Sequence, residues 1–266
     1  MKVLAVQLGL VALLITLIPA AALADSPEEK GLAIAREADR RDLGFGDTTT
    51  DLQMILKNAH GQTSTRELRI KTFEVPEEHD GDKTFIVFDR PRDIKGTALL
   101  THTHIKRQDD QWLYLPALKR VKRISSANKS GPFMGSEFAY EDFSSQEVAK
   151  YTYRYLRDEA CGDLACFVVE RFPVYKHSGY TRQIGWIDKD EYRFQKVEFY
   201  DRKNELLKTL TFKDYRQYLD KYWRALNLYM ENHQTGRSTR LVYSDYRFQT
   251  GLSSRDFSRN VLKRVR

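Results

Sequence analysis

Cysteine is scarce in this chain of 266 residues: Cys161 and Cys166 are the only two, and their spacing is not the Cys-x-x-Cys of a redox pair. Seven prolines and fourteen glycines are too few for a collagen-like, low-complexity or all-loop chain. Neither sign of charge is gathered into a tail. Forty-four Lys and Arg stand against 37 Asp and Glu, and the resulting +7 is spread along the sequence, so nucleic acid is not demanded as a partner. After residue 24 no long apolar run recurs. Gly-x-Ser-x-Gly, the phosphate loop and His-Glu-x-x-His are missing, and Gly44-Phe45-Gly46 lacks the third glycine of a dinucleotide fingerprint. With no nucleophile to name, the chain reads as a non-enzyme without cofactor or metal. What is plentiful is aromatic: fifteen Tyr and fourteen Phe, residues that suit strands.

Met1-Lys2-Val3 is a basic start, Leu4 to Pro19 is apolar, and Ala22-Leu23-Ala24 supplies the small residues a signal peptidase accepts. This predicts a cleaved signal peptide over residues 1–24 and an exported, periplasmic domain over 25–266. The apolar run also approaches the length of an uncleaved membrane anchor. In an oxidising compartment Cys161 and Cys166 are expected to form a disulfide across a hairpin end around Gly162-Asp163.

Ser26-Pro27-Glu28-Glu29 has the pattern of a capping box with proline at the first helical position, so a helix is expected to about Asp42, with Gly44 as its stop. From Thr48 to about Gln249 the pattern changes to alternation, as in Glu67-Leu68-Arg69-Ile70-Lys71, with turn signals at Asn58 to Gly61, Asp80-Gly81, Gln108 to Asp110, Asp188 to Asp190, Asp201 to Asn204 and Thr235-Gly236. The expectation is a mainly β, single-domain open antiparallel barrel of roughly ten or eleven strands. Alternation fails between Ser125 and Gln146, a length that in a compact domain marks a functional or mobile loop. A second short helix is expected over Ser254 to Lys263, packing Phe257 and Val261. The amino-terminal helix and the central loop would close the barrel's mouth over an apolar hollow fit for an acyl chain.

Three clusters have candidate chemistry. His102-Thr103-His104 puts two imidazoles on one strand face, which is the start of a metal site if a third ligand arrives and otherwise a solvated face. Tyr140-Glu141-Asp142 holds adjacent carboxylates whose expected role is a cap or a turn rather than acid and base. Lys119, Arg120, Lys122 and Arg123 form the densest basic stretch. It reads either as a sheet edge protected by charge or as a contact for anionic lipid head groups or an acidic partner.

Three blocks carry a resemblance. Trp112-Leu113-Tyr114-Leu115-Pro116-Ala117-Leu118-Lys119-Arg120-Val121, then Ser130-Gly131-Pro132-Phe133-Met134-Gly135-Ser136-Glu137-Phe138, then Tyr140-Glu141-Asp142-Phe143, resemble the outer membrane lipoprotein-sorting protein family, which is similar to the periplasmic lipoprotein carriers of the Lol system. The resemblance implies an unclosed β-barrel around a hydrophobic cavity with helices as its lid, and a role in moving lipidic or lipid-modified cargo. It also implies an inner-membrane partner of the resistance-nodulation-division exporter type, to which the chain could alternatively be a non-catalytic accessory. Trp112, Tyr114, Leu115, Phe133, Met134 and Phe138 are the candidate cavity or lid residues, with ordinary core packing as the other reading. Alternation puts Trp112 with Tyr114 on one face and Leu113 with Leu115 on the other, so all six cannot line one cavity.

Overall fold

The computed structural model describes residues 25–75 and 80–265, and the expected leader lies outside them. Ser26 caps α1 (Pro27–Asp42) as the pattern predicts: Glu29 donates its backbone N–H to Ser26 Oγ at 3.2 Å, and the Glu29 carboxylate accepts the Ser26 N–H at 2.9 Å. Beyond the helix end Gly44 and Gly46 take positive φ, and their N–H groups donate to the two oxygens of Glu74 at 2.6 and 2.7 Å.

Thirteen strands follow: β1 (Asp47–Lys57), β2 (Thr63–Phe73), β3 (Asp80–Arg90), β4 (Ala98–His104), β5 (Asp110–Leu115), β6 (Arg120–Ile124), β7 (Tyr151–Cys161), β8 (Leu164–Pro173), β9 (Arg182–Asp188), β10 (Phe194–Tyr200), β11 (Leu206–Tyr218), β12 (Tyr222–Asn232) and β13 (Arg237–Phe248). They form one antiparallel sheet in the order β6-β5-β4-β3-β2-β1-β13-β12-β11-β10-β9-β8-β7. Two consecutive meanders are thus joined where β1 pairs with β13. The sheet ends at β6 and β7, which no ladder joins among the described residues, so the barrel is unclosed.

The expected count of ten or eleven strands is corrected to thirteen. Some turns lack the residues that announce turns. Between β11 and β12 the chain reverses at Leu219 and Asp220, both at positive φ (50° and 52°) without Gly or Asn. Between β5 and β6 it reverses through the 3-10 turn Pro116–Leu118 and a left-handed Lys119. Asp80-Gly81, expected as a turn, opens β3 instead.

Alternation divides the side chains as a curved sheet requires. The inner face carries Leu52, Met54, Leu68, Ile86, Phe88, Leu99 and Leu113 from one wing and Val197, Phe199, Leu210, Met230 and Leu241 from the other, in one cluster. Phe85, Val87, Leu100 and Trp112 face outward, under the carboxyl-terminal segment. That segment is two 3-10 turns (Ser254–Phe257 and Arg259–Lys263) rather than the expected helix, because Ser258 between them is extended. Each turn drives one residue, Phe257 and Leu262, fully into the outer cluster, with Val261 half-buried beside them. The disulfide between Cys161 and Cys166 closes the β7–β8 hairpin tip.

α1 lies across β7 to β9, burying Ile34 against Tyr151, Tyr153, Val169 and Ile187. The approach is close enough to need glycine: a Cβ on Gly31 would stand 2.7 Å from the Tyr155 backbone nitrogen and 2.9 Å from Arg154 backbone atoms. Gly31→Ala must therefore lift the helix, and we expect a loss of about 1–3 kcal/mol in urea unfolding. An unchanged midpoint would mean that the helix is free to ride higher on the sheet.

Candidate functional site

The segment that breaks the alternation connects one edge strand to the other, from Ile124 to Tyr151, and it does so across the concave face. Pro132 and Ala139 form a single antiparallel bridge, so residues 133–138 double back on themselves, with Phe133 N–H donating to Phe138 C=O at 2.7 Å. Phe133 is fully buried, with its ring centroid 5.7 Å from Phe88, 5.4 Å from Tyr140 and 4.5 Å from Phe143. Phe138 joins the same cluster.

Polar bonds fasten the segment to both wings. Arg66 donates to Met134 C=O, and Gln111 donates to Tyr140 C=O at 2.8 Å. On the far side Lys208 Nζ donates to Glu137 C=O and to Asp142, both at 2.8 Å, and Tyr180 donates its hydroxyl to Asp142 at 2.8 Å. Glu141 accepts from Gly179 N–H at 2.8 Å, Ser178 Oγ at 2.9 Å and Tyr175 OH at 3.0 Å. Burial, and then the neighbouring Asp142 charge, raise the Glu141 pKa. The adjacent carboxylates thus anchor a buried segment, in line with the expected capping role. Asp142 accepts the Ala139 N–H at 2.7 Å. The segment expected as a lid over the mouth lies inside the barrel, filling much of the apolar concave face.

One open space lies under α1. A hollow of about 610 Å³ is bounded by Ala35 and Ala38 of the helix, by Val169, Arg171, Gly185 and Ile187 of β8 and β9, and by Phe194, Tyr215, Trp223 and Arg224. Its walls are mixed, apolar and aromatic with several cations and the carboxylates of Asp39, Asp42, Glu191 and Asp220, rather than purely greasy. A further space of about 360 Å³ adjoins Thr48, Thr50, Thr72, Thr84 and Tyr243. A third, about 280 Å³, is walled by Asp39, Asp42, Glu74, Asp80, Asp82 and Glu147. All three share Asp42 and Ser145. Burial, with the charges of Glu147, Glu74 and Asp42, pushes Asp82 up to about 7. Among the described residues no group of three or more His, Cys, Asp or Glu is placed to hold a metal.

The sequence candidates separate as alternation requires. Leu115, Phe133, Met134 and Phe138 pack in the inner cluster. Trp112 and Tyr114 pack in the outer one, beneath the carboxyl-terminal turns. His102 and His104 do share a face, but it is not a solvated one: His102 Nε2 lies 2.7 Å from Phe257 C=O, and His104 is buried between Asp80 and Asp110. Burial lowers the His102 pKa. Lys119, Arg120, Lys122 and Arg123 are exposed on and beside the edge strand β6, where Arg123 pairs with Asp110. The wall residues of β8 to β12 were not singled out from sequence. The available signal was Arg171, which alternation places on the inward face of β8 with Phe167 and Val169.

A family model described only as that of an uncharacterized protein matches residues 80–264. An outer membrane lipoprotein-sorting protein domain from Vibrio parahaemolyticus is 61% identical, with 89% of this chain and 99% of that one covered and a TM-score of 0.86. A DUF1329 family protein from Desulfovibrio piger is 29% identical over 90% and 100% of the two chains, with a TM-score of 0.85. A LolA superfamily protein from Nitrosomonas europaea shares the fold at 20% identity and a TM-score of 0.69, over 90% and 100% of the chains. No curated protein matches the sequence.

Two outcomes follow from the anchored segment and the acidic wall. The Lys208 and Asp142 side chains are only 4% and 10% exposed. Lys208→Met strands a buried carboxylate and should cost about 3–5 kcal/mol in chemical denaturation, whereas a cost below about 1 kcal/mol would show that water already solvates the pair. For Asp82 the folded value of about 7 lies above the ordinary 3.8. Across that window the folded chain binds more protons than the unfolded one, so stability falls as pH rises from about 4 through about 7. Asp82→Asn should flatten this part of the melting-temperature profile, and an unaltered slope counts against the assignment.

Proposed function

Because the chain belongs to the outer membrane lipoprotein-sorting protein family, we propose that it is a non-enzymatic periplasmic carrier that holds lipid, or the acyl chains of lipoproteins, in the hollow under α1 and moves them towards the outer membrane. The observation that carries this reading is the unfilled space of about 610 Å³ between a single docked helix and an unclosed sheet. That volume falls in the usual range of small-molecule pockets, about 300–1,000 Å³. No helix among the described residues is long and apolar enough to cross a membrane.

Each methylene shielded in such a hollow contributes about 0.8 kcal/mol, so a tail of several carbons leaves slowly unless the pocket changes or a receptor competes. The moving part in this scheme is α1, which touches the sheet over β7 to β9. Leu115, Phe133, Met134 and Phe138 line neither the hollow nor the two adjoining spaces and belong to the packed inner cluster, the part that stays fixed in this scheme. The exposed Lys119, Arg120 and Lys122 of the β6 edge are the proposed contact for anionic lipid at handover, with about 1 kcal/mol per basic residue near a charged bilayer.

The test is chemical. Protein purified from the periplasm without detergent should yield about one lipid per chain on organic extraction and mass spectrometry. Ala38→Trp fills the hollow from its roof. Loss of room for about two methylenes should weaken retention of a fluorescent lipid about tenfold in a folded variant. Lipid-free protein that also takes up no probe in vitro would refute the carrier reading.

A further inference from the structure

Four arginines besides Arg171 line the hollow, and each has a carboxylate. Arg40 and Arg41 pair with Glu37, Arg41 also with Glu191, Arg193 with Asp188, and Arg224 with Asp42. Among the described residues Arg171 alone of these arginines has none. Its Nε donates to Gln183 Oε1 at 2.8 Å and its Nη2 to Gln146 Oε1 at 3.2 Å, and both acceptors are neutral amides. The guanidinium is stacked 4.5 Å from the Tyr151 ring centroid and 5.7 Å from that of Phe194. It is therefore a positive charge oriented by four neutral side chains, with most of its five N–H groups still free to donate. Apolar wall continues directly from it: Val169 lies two residues away on the same strand face, and Ile187 and Phe194 lie beyond. The hollow's acids, Asp39, Asp42, Glu191 and Asp220, belong to the helix and to the turns at the opening, and none pairs with Arg171.

We propose that the hollow selects an amphiphile whose head is an anion, and that Arg171 receives that head while the tail runs along Val169, Ile187 and Phe194. The inference rests on the carrier reading and adds to it a ligand class, a phosphate-type head on an apolar chain. A planar fork held in place by stacking loses little freedom when it meets two oxygens of such a head, which is why the charge is left unneutralised by the protein itself.

The experiment is calorimetric titration of the disulfide-bonded mature chain with dodecyl phosphate, dodecanol and inorganic phosphate. Dodecyl phosphate should bind at least about tenfold more tightly than dodecanol, the ratio expected for one charge-assisted contact, and inorganic phosphate should bind far more weakly than either. Arg171→Gln should bring the ratio to about one, chiefly by weakening dodecyl phosphate. Gln183→Glu keeps the arginine and gives it a carboxylate at the position of the present amide oxygen. It should abolish the preference with an equal or higher melting temperature, so that loss of folding in the first variant cannot explain the result. Equal binding of the two tailed compounds by the wild type would overturn the head site and leave the carrier reading standing. Inorganic phosphate binding as tightly as dodecyl phosphate would overturn the amphiphile and point to a free anion. No binding of any tailed compound would refute both readings together.

Discussion

The arrangement depends on one topological constraint: the two unpaired edges of the sheet, β6 and β7, are neighbours in sequence. The chain between them has to travel from one end of a thirteen-stranded curve to the other, and the route it takes is the concave side. Backbone carried through such a place must satisfy its own polar groups. The segment does so with its internal bridge and with bonds from Arg66 and Gln111 on one wing and from Lys208 on the other. Its aromatic residues meanwhile supply core that a lone curved sheet lacks. The connection between the edges is therefore also the filling of one half of the barrel.

Filling one half defines the other. The space not occupied by the crossing segment is roofed by α1, and the fit of that roof is set at Gly31 against the β7 backbone and at Ile34 in the cluster below. The residual hollow is neither greasy throughout nor polar throughout. Aromatic and aliphatic walls from β8 to β10 meet Arg40 and Arg41 of α1, Arg171 of β8, Arg193 of the β9–β10 turn and Arg224 of β12, while the acidic groups come from α1, from the β9–β10 and β11–β12 turns and, in the adjoining space, from the β2–β3 region. Apolar wall and a cation without a carboxylate, Arg171, thus meet in one space, which is the property an amphiphilic guest would exploit.

Much of this was legible in the residues. The capping box placed α1, and the alternating stretches placed the inward and outward faces correctly enough to put Trp112 and Leu113 on opposite sides. The break after Ile124 marked the crossing. The direction of that crossing was not legible. A loop that roofs a cavity and one that lies inside it have the same composition, and only pairing partners far along the chain, such as Lys208 with Asp142, decide between them. The short turns escaped for a local reason: at Leu219 a residue with no turn preference is held at positive φ by the hairpin around it. The hollow's wall escaped because its residues come singly from β8 to β12, each ordinary in its own strand.

The unclosed sheet has a consequence for how separate copies of the chain meet. An open sheet offers two rows of unsatisfied backbone groups on which a second molecule could polymerise. At β6 the row is guarded by repulsion between basic side chains, whereas β7 is held to its hairpin partner by the bond between Cys161 and Cys166 and covered by α1. The first safeguard is weakened by salt, whereas α1 stays over β7 whether or not the cross-link is reduced, so high ionic strength is the condition that bares a flank, and the flank it bares is β6.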